Sequence, residues 1–335
     1  MGKSYLSIDV GTDGITAVFA REESGKRVCD VRHAAFSSDI EPAETLQQLL
    51  TPLDFTETKT YLAFSPGFFF FRSIALPFSD PKKIVQILPF EVREQLPCPI
   101  DDYVLDFILC AHEDDGSGVL VAALAREVIK DWLTICGSIG LVPESITVCN
   151  IALCNMIAET ECTDFLLLDC GDNELSFYLV RQGKIVSIRS LPFLYGDDEK
   201  LPDMVASEIR RALLVMDKYV SAEPSQLSGA YIINRSAEDK QIETIVTRGL
   251  TQEFGIDVRR RGCDENLIAQ ISGKNSNGTV WQQFSPAFGS GISSSCFEFM
   301  QGEFRHIKGK RGGGRKMLLF LVLLICSSFI LAGFQ

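Results

Sequence analysis

Asp9 and Asp169, 160 residues apart, each close a short apolar strand with the pattern Asp-x-Gly and lead directly into a second strand. The first copy reads Tyr5-Leu6-Ser7-Ile8-Asp9-Val10-Gly11-Thr12-Asp13-Gly14 and resumes at Ile15. The second reads Phe165-Leu166-Leu167-Leu168-Asp169-Cys170-Gly171-Asp172-Asn173 and resumes at Glu174. Glycine at such a tip permits positive φ, so that backbone N–H groups can turn toward a phosphate oxygen. The two carboxylates are hard oxygen donors that can hold Mg²⁺ through water. Residues placed for phosphate or Mg²⁺ are therefore Asp9, Gly11, Thr12, Asp13 and Gly14 in the first hairpin and Asp169, Gly171 and Asp172 in the second. The same letters also write an ordinary β-turn, where Gly and Asp are the commonest residues. Their recurrence at matched topological positions favours the paired reading, in which facing hairpins clamp a phosphate chain.

The elements that would position the pair repeat in order. A strand triplet (about 4–10, 15–21 and 27–36), a helix at Pro42–Leu50 and a strand at Thr58–Phe64 build an α/β layered unit. A distinct piece follows, with a helix at Pro81–Gln95 opened by Ser79-Asp80 and a strand at Tyr103–Ala111; the Asp-Pro start is a helix N-terminus signal. A strand at Val119–Leu124, a helix at Arg126–Ile139, a strand near Ser145–Val148 and a helix at Ile151–Glu159 lead into the second Asp-x-Gly unit. There the series recurs: strand triplet, long helix Pro202–Tyr219, strand Gly229–Ile233, helix Asp239–Phe254, strand Ile256–Arg259. Repetition of the order is evidence of duplication independent of the motif. The division expected is 1–160 for a first half with a small insert at about 73–111, 161–296 for a second half, 297–316 for a docking segment and basic linker, and 317–335 for a membrane helix.

Composition removes several function classes. A formal charge of −12 over 335 residues argues against a nucleic-acid partner, which needs Lys and Arg in excess on one face. Eleven cysteines without a CxxC pair, and three dispersed histidines, read as small core residues of a reducing compartment and give no metal site and no His-based triad. The run Phe68–Phe71 reads as a buried strand, with a partner patch as the alternative. Arg259–Arg261 reads as a solvated strand end, with anionic lipid or an acidic partner as the alternative.

The C-terminal charge is distributed differently. Lys308, Lys310, Arg311, Arg315 and Lys316 precede an uncharged apolar run of eighteen residues, Met317 to Phe334. At about 1.5 Å per residue such a run spans roughly 27 Å, enough for a bilayer core. A buried core helix is the alternative. Basic residues on the N-terminal side of a single span put everything before residue 317 in the cytoplasm. The chain ends one residue beyond the run, so either the far side holds almost nothing or the sequence is a fragment of a longer protein, which we favour.

The paired hairpins resemble the phosphate-1 and phosphate-2 loops of the actin-like ATPase superfamily over roughly residues 4–295. The fold class implied is α/β, a duplicated actin-like (ribonuclease H-like) two-domain fold followed by one C-terminal transmembrane helix. Ile74-Ala75-Leu76-Pro77, the helix ending Glu91–Gln95, Tyr103-Val104-Leu105-Asp106-Phe107 and Gly140-Leu141-Val142-Pro143 look like the pattern of type II secretion protein L and pilus assembly protein M. Glu208-Ile209-Arg210-Arg211 in the long helix fits the same pattern, and the resemblance adds Glu208 and Arg211 to the cofactor-binding candidates, with ATP and Mg as the cofactors. The octapeptide Phe297-Glu298-Phe299-Met300-Gln301-Gly302-Glu303-Phe304 is similar to the stretch before the membrane helix of the L protein and to the cytoplasmic N-terminal peptide of the pilus N protein. Phe297, Phe299, Met300, Gln301, Gly302 and Phe304 are accordingly the candidate docking residues, in an L protein or an M–N fusion; a plain connector packed on the core is the alternative.

Two departures bear on nucleotide. The strand Tyr231-Ile232-Ile233-Asn234 lacks the Gly-Gly turn that lets a backbone approach adenine, and Asp172 and Glu174 put negative charge where phosphates would sit. The resemblance therefore implies a membrane-anchored scaffold rather than an enzyme. Its partners would be the secretion or pilus assembly ATPase and inner-membrane platform proteins, the secretion M protein or pilus N- and O-type proteins, and it leaves room for a homodimer. The competing expectation is an active actin-like ATPase or sugar-kinase-like phosphotransferase using Asp9 and Asp169.

Overall fold

The computed structural model describes residues 4–23, 26–51, 53, 55, 58–113, 116–171, 173–192, 203–204, 206–208, 210–211, 227–234, 241–260 and 297–305. The chain divides into two compact units, Met1–Phe299 and Met300–Gln335.

The first unit contains the duplication. Strands β1 (Tyr5–Val10), β2 (Gly14–Glu23), β3 (Lys26–Ala35), β4 (Lys59–Phe64) and β8 (Pro143–Val148) form one sheet in the order β3-β2-β1-β4-β8. Strands β9 (Phe165–Cys170), β10 (Glu174–Arg181), β11 (Lys184–Pro192), β12 (Ala230–Asn234) and β13 (Val258–Arg260) form another in the order β11-β10-β9-β12-β13. In each the first two pairings are antiparallel and the last two parallel. The register repeats as well: Asp9 stands opposite Thr16, and Asp169 opposite Ser176. Residues of β9 and β10 are buried throughout, β9 as a near-continuous apolar run and β10 with Glu174, Ser176 and Arg181 buried among apolar neighbours.

Helices cover the sheets with stripes read directly from the sequence. In α1 (Pro42–Leu50) Pro42 sits in the first turn, and Thr45, Leu46, Leu49 and Leu50 are buried, one face at helical spacing. Helix α3 (Arg126–Ser138) buries Ile129, Trp132 and Cys136 on the same principle, and Gly140 follows it at φ +79°. Helix α4 (Ile151–Thr160) enters through Asn150, whose φ of +62° turns the chain sharply out of β8. Helix α5 (Gln241–Phe254) precedes β13, and the described residues within 203–211 are helical.

A third sheet includes the segment expected at about 73–111. Strands β5 (Phe69–Leu76), β6 (Tyr103–Glu113) and β7 (Gly116–Ala125) pair antiparallel in the order β5-β7-β6. Helix α2 (Pro81–Val92) seats Ile84, Leu88 and Val92 against Ile74, Leu76, Val119 and Val121. Asp80 accepts a hydrogen bond from the Lys82 N–H at 3.0 Å, which caps the helix and offsets the two lysines of its first turn. Cys110, Cys136, Cys149, Cys154 and Cys170 are buried, as expected of core thiols, while Cys98 is exposed.

Residues 261–296, the basic linker 309–316, the run 317–335 and the C-terminal part of the expected helix 202–219 lie outside the described residues. Among the described residues no helix is long and apolar enough to cross a membrane.

Candidate functional site

The two hairpin tips close by the same hydrogen bond. Gly11 N–H donates to the Gly14 carbonyl at 2.9 Å, and Gly171 N–H donates to the Glu174 carbonyl at 2.9 Å. These amides, offered by the sequence as phosphate donors, are committed to their own turns. Gly14 is needed for another reason: a Cβ there would lie 2.6 Å from the Ala34 carbonyl oxygen of the neighbouring strand. Asp13 accepts from the Phe36 N–H through its carbonyl at 2.8 Å, and Asp172 lies outside the described residues.

Both aspartates are buried, and consecutive residues at the end of β8 reach them. Cys149 Sγ donates to Asp9 Oδ1 at 2.6 Å, and Asn150 Nδ2 donates to Asp169 Oδ2 at 2.6 Å. Asn150 Nδ2 also lies 3.4 Å from the Tyr178 hydroxyl. Burial, then the neighbouring Asp169, pushes that phenol well above its ordinary range. The carboxylates at matched positions of the two halves are thus both held by the crossover that joins the halves.

Glu174, in the second hairpin, is 3 % exposed and makes the richest polar contact in the region. Its Oε1 accepts from Gly67 N–H at 2.9 Å, Ser176 Oγ at 2.8 Å and Ser190 Oγ at 2.8 Å; its Oε2 accepts from Ser65 Oγ at 2.9 Å. Ser65 and Gly67 follow β4 in the first half, whereas Ser176 and Ser190 lie on β10 and β11 in the second. Gly67 has no room for a side chain, since a Cβ would meet Glu174 Oε2 at 2.8 Å.

Beside this bridge opens a cavity of about 1090 Å³, lined among others by Thr12, Asn173, Glu174, Arg189, Ser190 and Glu208. The structure therefore brings Thr12 and Glu208 to one cleft, and keeps Asp9 and Asp169 out of its lining. Glu208 is held by two arginines, Arg189 at 3.3 Å and Arg211 one helical turn away. A triphosphate with Mg²⁺ does not fit the described residues at this place. The Gly11 and Gly171 amides and the Ser65, Gly67, Ser176 and Ser190 donors are occupied, and a buried carboxylate stands among them. The strand expected to crowd adenine is interior sheet: Ala230, Tyr231, Ile232 and Ile233 are buried, and Tyr231 donates to Glu161 Oε2 at 3.0 Å.

A second constellation gathers around Phe297–Phe299. Glu298 N–H donates to Asp106 Oδ2 at 2.7 Å, Ile146 N–H to Glu298 Oε1 at 3.2 Å, and Phe299 N–H to the Ile146 carbonyl at 2.9 Å. The segment lies along the outer edge of β8, with β6 on its other side. Phe297 and Phe299 are wholly buried, with ring centroids 6.3 Å from Phe71 and 5.1 Å from Phe69 respectively. The aromatic run is thus a half-buried strand, and Phe69 and Phe71 receive the two phenylalanines while Phe70 is 37 % exposed. Met300, Gln301, Gly302 and Phe304 begin the second unit, where Phe304 N–H donates to the Gln301 carbonyl at 3.0 Å and Gly302 takes φ +54°. Sequence reasoning missed Cys149, Asn150, Ser65 and Gly67. The only signal was an Asn between an apolar strand and an apolar helix.

Residues 39–161 match the family model of type II secretion system protein L. The protein L match spans α1 to α4, including the β5-β7-β6 layer, which has no counterpart among the described residues of the second half. No curated protein sequence matches the chain. Among solved structures, the PilM–PilN type IV pilus biogenesis complex is similar at a TM-score of 0.65 and 18 % identity, covering 86 % of this chain and 97 % of that one. The cytoplasmic domain of EpsL, an inner-membrane component of the type II secretion system of Vibrio cholerae, is similar at a TM-score of 0.53 and 10 % identity, covering 90 % of this chain and 100 % of that one. At such identities the likeness establishes the fold, the two-domain actin-like α/β architecture read from the paired hairpins.

Proposed function

We propose that the chain is a membrane-anchored cytoplasmic scaffold of a type II secretion or type IV pilus inner-membrane assembly platform. The observation that carries this reading is the seat of Phe297–Phe299 on the edge of β8 and against β5. An extended segment that adds to a sheet edge while alternate side chains fill pockets is a peptide-docking mode. Here it ties the first half to the chain just before the basic linker and the apolar run, so that a single span at 317–335 holds the actin-like body at the inner membrane with its N-terminal region in the cytoplasm. The match to protein L over 39–161 and the likeness to the PilM–PilN complex support the same assignment.

The scaffold's partners on this reading are the assembly ATPase of the same system and the neighbouring platform proteins, and the work of assembly comes from that ATPase. What supports a scaffold over a phosphotransferase is that Asp9 and Asp169 bond inward to Cys149 and Asn150. The test is co-purification of the full chain in detergent with the assembly ATPase encoded in the same organism. Stoichiometric association is expected. Absence of association at micromolar concentrations of both proteins rejects the scaffold reading.

A further inference from the structure

A buried carboxylate is expensive unless it is paired and hydrogen-bonded. Glu174 has no cationic partner among the ion pairs of the described residues. It is instead surrounded by four neutral donors, three hydroxyls and one backbone amide, all at 2.8–2.9 Å. Ser65 and Ser176 are themselves fully buried. Hydroxyls and amides converging from separate chain segments are the means by which proteins hold an oxyanion, and such charge-assisted bonds are about twice as strong as neutral ones. The bare backbone at Gly67 lets the first half approach the oxygen, as a Cβ would not. The same carboxylate, with Gly67 and Ser190 of its donors, lines the 1090 Å³ cavity, so the cradle borders a space that an anion could enter.

We propose that Glu174 permanently occupies, as an internal anion, an oxyanion cradle built by Ser65, Gly67, Ser176 and Ser190, and thereby latches the two halves and denies the cradle to phosphate. The claim rests on this geometry and is independent of the scaffold reading. Removing the carboxylate empties a site that spans both halves; an added oxyanion of tetrahedral class then replaces the latch. Ser65 and Gly67 belong to the first half and Ser176 and Ser190 to the second, so filling the cradle restores the connection between them.

The experiment is thermal unfolding of the full chain in detergent, for the wild type, Glu174→Ala and Glu174→Gln, in inorganic phosphate and in sodium chloride of matched ionic strength. Phosphate stabilises proteins generally through exclusion from their surface, so the wild type measures that background. The latch predicts a lower Tm for Glu174→Ala in chloride, and a phosphate increment exceeding the wild-type increment by about 3 °C or more. It also predicts no excess increment for Glu174→Gln, whose amide fills the cradle. Equal increments in all three proteins overturn the proposal, as does a Glu174→Ala Tm equal to that of the wild type. If Glu174→Ala folds in phosphate and not in chloride, the proposal stands. If it folds in neither, Glu174→Asp decides, because its carboxylate is one methylene short of the cradle: a lowered Tm supports the latch, and an unchanged one overturns it.

Discussion

Asn150 serves the second half from the end of the first, with its amide on Asp169 and its backbone in the left-handed region at φ +62°. Replacing it by alanine removes the donor and keeps the strained backbone. Asn150→Ala should therefore lose about 1–3 kcal/mol from the lost hydrogen bond to a buried carboxylate, with a further contribution from φ, read as a fall in the urea midpoint. The buried thiols make a separate expectation. Desolvation pushes Cys136 up to about 12, and Cys110 likewise up to about 12, from the ordinary value of 9.0. Above pH 9 the unfolded chain releases these protons while the folded chain keeps them, so the folded state binds more protons and stability falls as pH rises toward 12. Below pH 9 both states hold them and this dependence vanishes. Alkylation by iodoacetamide at pH 8 should accordingly modify Cys98, which is exposed, and spare Cys110 and Cys136 until the protein is unfolded; peptide mass spectrometry reads the difference. Asp9 and Asp169 were legible because their spacing repeats. Their partners were not, because a bond from Cys149 to Asp9 crosses 140 positions and leaves no local pattern.

At the scale of elements, the paired sheets follow from strand periodicity and from the repeat, and the helices from apolar stripes bounded by Pro and Gly. The pairing within the β5-β7-β6 layer was not legible, for a definite reason. Phe69–Leu76 pairs with Gly116–Ala125 across the intervening α2 and β6, and a run of four phenylalanines shows no polar alternation to reveal that, within the run, the face bearing Phe69 and Phe71 is the covered one. That face is covered in part by Phe297 and Phe299. Phe299→Ala removes a fully buried ring that packs on Phe69, a truncation that costs about 3–5 kcal/mol in well-packed cores. The segment should then leave the β8 edge while both sheets persist. Hydrogen exchange tests it: the amides of Ile146 and Phe299, which bond across this contact, should lose protection, and those of β9 and β10 should keep it. Retention of protection at Ile146 would mean that the aromatic seat does not hold the segment.

For the molecule as a whole, the question is whether its two halves work as a hinge around a ligand or as one body. Fastenings cross from the first half to β11 well away from Glu174: Ser73 Oγ donates to the Val186 carbonyl at 3.1 Å, and Cys110 Sγ to the Ile185 carbonyl at 3.2 Å. The inserted layer therefore grips the second half, and closing on a ligand would require breaking these bonds together with the Glu174 bridge. Hinged enzymes draw closure from differential contacts that the ligand makes in the closed state. Here Ser65, Gly67, Ser176 and Ser190 already donate to Glu174, and the Gly11 and Gly171 amides to their own turns. A ligand present at a hundred times its dissociation constant adds about 2.7 kcal/mol to the folded state, which a chain of this size registers as a rise of several degrees in Tm. Mg-ATP at about millimolar concentration should thus leave the Tm of the full chain in detergent unchanged against a Mg-chloride control, with hydrogen exchange in β5 and β11 unchanged as well. A rise in Tm accompanied by new protection at Thr12 and Asn173, which line the cleft, would return that cavity to nucleotide and make the two halves a hinge after all.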